Sequence, residues 1–110
     1  MKTYFHGEVI ITKVNNIPIG LKEAKKFNDK SYKLADSETT GNHHLLEAKE
    51  EVELFEDDSG VLWLKNDVPV DVFCAIKERH DTITLEPGMW EIDRAQEYDY
   101  LTEMTRKVAD

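Results

Sequence analysis

The chain's clearest donors for a metal ion are its four histidines, His6, His43, His44 and His80. Neutral imidazole nitrogen and carboxylate oxygen are ligands that zinc, iron and nickel accept. His43 and His44 follow a glycine turn, and Glu47 comes three residues after His44. If the strand that begins at Val68 runs on through residue 80, alternation puts Glu78 and His80 on the inward face with Ile76. His44, Glu78 and His80 are then candidate ligands of a divalent metal, held across two strands at a barrel mouth. Adjacent strand residues point to opposite faces, so only one of His43 and His44 can join that set. The chain has no H-x-H, no H-E-x-x-H and no cysteine pair, the spacings by which metal sites announce themselves. Ordinary hydrogen-bonded histidines are the plainer reading.

Other chemistry finds less support. Cys74, the one cysteine, falls on the same face of its strand as Val72 and Ile76, where a thiol behaves as a small apolar group. The five glycines are scattered as turn formers and build no phosphate loop. Asp57 and Asp58 sit in a turn, where carboxylates are solvated. Neither a catalytic residue nor a bound organic cofactor is expected.

The elements that would position these residues are strands. Phe5 to Val14 is rich in β-branched residues and reads as one strand, broken by Asn15, Asn16, Pro18 and Gly20. Residues 21–33 read as a short surface helix or a charged loop. Thr39-Thr40-Gly41-Asn42 reads as a turn, or as the lip of a strand ending at Leu45-Leu46. Val52 and Leu54 alternate with acids, Asp57-Asp58-Ser59-Gly60 makes a hairpin loop with Gly60 suited to positive φ, and Val61 to Lys65 returns. Val68, Val70, Val72, Cys74 and Ile76 keep strict period two, the strongest pattern in the chain. A short strand runs over Asp81–Leu85, then Glu86-Pro87-Gly88-Met89 has the chemistry of a type II turn, and Trp90 and Ile92 open the next strand. Trp63 and Trp90 read as core. From Asp99, a capping residue, Leu101, Met104, Thr105 and Val108 share one helical face. The expected fold is mainly β: a small closed barrel or sandwich of six or more short antiparallel strands with a short C-terminal helix. It forms one domain over 1–110, with a β body over 1–98 and the helix over 99–109.

With 110 residues, 40 % hydrophobic and 34 % charged, and a net charge of −9, the chain can bury one core without disulfides. Seven lysines and three acids give residues 1–35 a charge of +4, and seven basic and twenty acidic residues give 36–110 a charge of −13. The acidic part argues against direct nucleic-acid binding, which needs a basic footprint. Lys22, Lys25, Lys26, Lys30 and Lys33, and the helix residues Leu101 and Met104, are the candidate contacts for a protein partner. The longest apolar runs are too short to span a bilayer, and the N-terminus lacks a signal-peptide h-region. The expected location is the cytoplasm.

Several segments together give a further lead: Gly7-Glu8-Val9-Ile10, Pro18-Ile19-Gly20, Thr40-Gly41-Asn42-His43-His44, Lys77-Glu78-Arg79-His80, Leu85-Glu86-Pro87-Gly88-Met89-Trp90-Glu91 and Gln96-Glu97-Tyr98-Asp99. In order and spacing they resemble a family of short uncharacterised proteins of bacteria and bacteriophages. Its members carry T-G-H-x-H, H-x-x-H, P-P-G-x-[WY]-E and R-E-Y-D elements. Asn42 and Lys77 stand where the first histidine of each pair would be, and only His44 and His80 match. If the paired histidines of that family bind metal in a cupin-like barrel, this chain has lost half of those ligands. The resemblance implies a phage-type origin, and hence host cytoplasm or virion. The expected function is a non-enzymatic structural or interaction protein, an auxiliary component of a phage particle attached to a larger viral assembly. Two alternatives stand beside it: a metal-binding cupin-like module or enzyme using His44, Glu78 and His80, and an acidic inhibitor of a host nucleic-acid enzyme.

Overall fold

The computed structural model describes residues 2–35, 43–75 and 82–94. Among them the chain forms ten strands and no helix: β1 (Thr3–His6), β2 (Val9–Val14), β3 (Lys22–Glu23), β4 (Ser31–Ala35), β5 (His44–Glu47), β6 (Val52–Glu56), β7 (Leu62–Asn66), β8 (Val70–Cys74), β9 (Ile83–Leu85) and β10 (Gly88–Arg94). They pair into a six-stranded sheet, β1-β2-β10-β7-β6-β3, and a four-stranded sheet, β4-β5-β8-β9. Every pairing is antiparallel. No helix of the described residues is long and apolar enough to cross a membrane.

Alternation decides which side chains meet. In the six-stranded sheet, Leu54 pairs with Leu64 and Leu64 with Trp90, while Leu62 pairs with Ile92 and Ile92 with Ile11. In the four-stranded sheet, Tyr32, Leu46, Val72 and Ile83 form one row. These rows face each other in a single apolar core that draws on both sheets. Trp90, Ile11, Leu46, Leu64, Val70 and Val72 are fully buried in it. At about 25 cal/mol per Å² of apolar surface removed from water, this shared core is the main driving force for the fold.

A polar side chain also joins the sheets. Asn66, at the end of β7, is 2 % exposed. Its amide donates to the carbonyl oxygens of Val68 at 2.8 Å and Glu86 at 3.0 Å. It thereby fixes the β7–β8 connection against the β9–β10 link.

Several expectations change here. The architecture is two sheets, with β1 and β3 at the edges of one and β4 and β9 at the edges of the other, and not a closed barrel. The chain crosses between sheets at short links, such as Asp67 to Pro69. The single strand expected over Phe5–Val14 is a hairpin, because Gly7 adopts φ 62° and turns the chain so that His6 pairs with Val9. Residues 21–33 form no helix: they hold β3, a loop and the start of β4. Gly88 has φ 159°, an extended backbone that opens β10, and not the left-handed third position of a type II turn. The period-two run holds over Val70, Val72 and Cys74, all buried in β8, whereas Val68 lies in the turn before it. Ile76 and the helix expected from Asp99, with Leu101 and Met104, lie outside the described residues.

Candidate metal centre

Three strands end or begin at one place. His6 is the last residue of β1, His44 the first of β5 and Cys74 the last of β8. The hairpin turn at Gly7-Glu8 stops β1 at His6, whose side chain falls on the inward face and is 2 % exposed. His44 and Cys74 are direct cross-strand partners in the four-stranded sheet, and each is 1 % exposed. The two sheets thus contribute one and two of these buried side chains.

The side-chain donors converge. Nδ1 of His6 lies 2.9 Å from Nδ1 of His44, and Sγ of Cys74 lies 3.8 Å from the same His44 nitrogen. One ligand atom from each of the three residues lies within 4.8 Å of the others. The two imidazole rings meet edge to face, with centroids 5.1 Å apart. On the other side of the His44 ring, Nε2 is 3.7 Å from Oε1 of Glu8.

A tetrahedral ion with nitrogen ligands at about 2.0–2.1 Å and sulfur at about 2.3 Å sets N and N roughly 3.3 Å apart and N and S roughly 3.6 Å apart. The observed 2.9 and 3.8 Å reach those values with side-chain shifts of a few tenths of an ångström. Two imidazoles and a thiolate suit zinc, and also iron or nickel, and disfavour magnesium and calcium, which take oxygen. Glu8, His44 and Cys74 also follow one another as acid, imidazole and thiol, the order of a nucleophilic relay. A nucleophile must meet its substrate, however, and the Cys74 side chain is buried.

Of the residues singled out in the sequence, His44 is in this centre. Glu78 and His80 lie outside the described residues. His43 points away from His44, as alternation requires, and stacks edge to face on Phe27 at 5.2 Å. Lys22, Lys25, Lys26, Lys30 and Lys33 are all exposed on β3, β4 and the loop between them, and Lys33 lies over the Phe27 ring. Trp90 is core, whereas Trp63 is half-buried and donates from Nε1 to Asp57 at 3.0 Å.

A family model described as a domain of unknown function, DUF8820, matches residues 5–95 of the 110. The chain belongs to that family. No curated protein and no solved structure matches it. The DUF8820 match runs from the strand that carries His6 to the end of β10, so the three buried donors all fall within it.

Sequence reasoning missed His6 and Cys74 as partners of His44 in this DUF8820 chain. The signal for Cys74 was present: it holds an inward position at the end of an alternating strand. What the sequence does not display is the pairing of β5 with β8, which sets His44 opposite Cys74. Nor does it display the turn at Gly7, which ends β1 with His6 facing inward.

Proposed function

We propose that the chain is a non-enzymatic β-module in which a divalent metal, zinc by its ligand set, joins the two sheets at His6, His44 and Cys74. The observation that carries this reading is the convergence of three buried donors from three strands of two sheets. A metal ion would bind all three donors at once, in place of the contacts they make with one another. Three protein donors leave the fourth position of a tetrahedral ion to a water or a further ligand, and the burial of all three side chains closes that position to a substrate. The exposed lysines from Lys22 to Lys33 support a place in a larger assembly, and the resemblance to bacteriophage proteins supports a particle as its setting.

Cobalt(II) titration of protein purified without a histidine tag tests the centre. The wild type should develop a thiolate-to-cobalt charge-transfer band that saturates at one equivalent. Cys74→Ser should abolish that band, and His44→Ala should weaken binding. A wild-type protein that shows no such band would refute the reading.

A further inference from the structure

We infer that Glu8 is the positioning carboxylate of this centre: it holds the neutral His44 ring as its Nε2–H tautomer, so that Nδ1 presents a lone pair between His6 and Cys74. The inference rests on the metal reading above and adds a residue outside the three donors. An ionised carboxylate only accepts hydrogen bonds, and a neutral imidazole has one N–H and one lone pair. The His44 ring points its two nitrogens in opposite directions, Nδ1 toward His6 and Cys74 and Nε2 toward Glu8. With an acceptor-only group beside Nε2, the proton belongs there and the lone pair on Nδ1. In the metal-free protein the short contact between the two Nδ1 atoms, 2.9 Å, fits the same assignment, with the Nδ1–H of His6 donating to His44; a metal bound at that nitrogen displaces this proton.

Glu8 is placed for this by the hairpin. It follows Gly7 in the turn between the paired residues His6 and Val9, so the segment that delivers one donor also delivers the carboxylate. Its side chain is 36 % exposed. At 3.7 Å it stands roughly 0.5 Å beyond hydrogen-bond length, a gap that a small rotation closes. Glu8 lies against the nitrogen opposite the one that faces the centre, which makes it an orienting group and not a ligand. It also balances charge: one thiolate and one nearby carboxylate offset a dication in a buried place. Such outer carboxylates fix the orientation of a ligating imidazole and raise its basicity.

The test combines zinc competition titrations with long-range nitrogen–proton correlation spectra of the histidine rings, on wild type, Glu8→Gln and Glu8→Ala. Glu8→Ala should bind zinc about 10–100-fold more weakly and, without metal, should keep the wild-type β-sheet circular dichroism spectrum. Glu8→Gln keeps an acceptor without the charge and should fall between. His44 should be the Nε2–H tautomer in the metal-free wild type and a mixture in Glu8→Ala. If the wild type binds zinc and Glu8→Ala binds within twofold of it, the role of Glu8 is overturned and the metal reading stands. A changed cobalt ligand-field spectrum in Glu8→Ala would also overturn it, by making Glu8 a ligand. A wild type that binds no metal overturns both.

Discussion

His6, His44 and Cys74 bring polar groups into the buried interior, where each hydrogen-bonding group left unsatisfied costs about 1–3 kcal/mol. The contacts among these three side chains limit that cost, and the proposed ion would replace them with metal–ligand bonds, so the contribution of Cys74 should depend on whether metal is present. Cys74→Val adds about one methyl group at a buried strand position. It should change metal-free stability by about 1–3 kcal/mol and should abolish stabilisation by added zinc, both read by urea unfolding. Asn66 is a different buried polar residue, because its partners are backbone carbonyls of two connections. Asn66→Ala leaves those carbonyls unsatisfied and should destabilise by about 1–3 kcal/mol regardless of metal. At this scale the sequence was a partial guide. It placed Cys74 inward and let one of the adjacent histidines face the core, because both follow from period two. It did not reveal Asn66, since nothing in an isolated asparagine says which carbonyls will surround it.

The hairpin between β6 and β7 shows how a turn sequence sets an element. The Asp57 carboxylate accepts from the Ser59 hydroxyl at 2.6 Å, the Ser59 amide at 2.9 Å, the Val61 amide at 3.1 Å and Trp63 Nε1 at 3.0 Å. Gly60 takes φ 91° with open space where a Cβ would go. Gly60→Ala should therefore cost only the backbone strain, about 1–2 kcal/mol, measurable by thermal unfolding. Hydrogen bonds, first from the Ser59 hydroxyl and then from Trp63, hold the Asp57 carboxyl at about 2, below its ordinary 3.8. Lys13 and then Lys2 hold Glu86 at about 2, below its ordinary 4.5. Both carboxyls titrate lower in the folded chain than in the unfolded one. Through these two groups the unfolded chain binds more protons between pH 4.5 and pH 2, and their contribution to stability should fall as pH drops through that window. Denaturant unfolding across this range should show the decline, and Asp57→Asn with Glu86→Gln should flatten it. This hairpin was legible because aspartate, serine and glycine at those offsets have few alternatives. The Phe5–Val14 segment was not, since Gly7 sits among strand formers and only pairing shows that it turns the chain.

On the scale of the whole molecule, two antiparallel sheets share one apolar core, and the proposed centre ties β1 of one sheet to β5 and β8 of the other. Mainly antiparallel strands in a single layered body were readable from alternation and turn spacing. Which strands share a sheet was not, because a strand's pattern records which face is buried and not which neighbour it pairs with. The choice between sandwich and barrel hung on those pairings. If the ion links the sheets, its binding adds to folding free energy: free zinc at a hundredfold above its dissociation constant should stabilise the fold by about 2.7 kcal/mol. A chelator should remove that increment and leave the β body folded on its core. The most direct measurement is the metal content of tag-free protein by elemental analysis, set beside that of His44→Ala and Cys74→Ser. Close to one zinc per chain in the wild type, with far less in either variant, is the predicted result. Substoichiometric metal in all three proteins, with no stabilisation by added zinc, iron or nickel, would contradict the account.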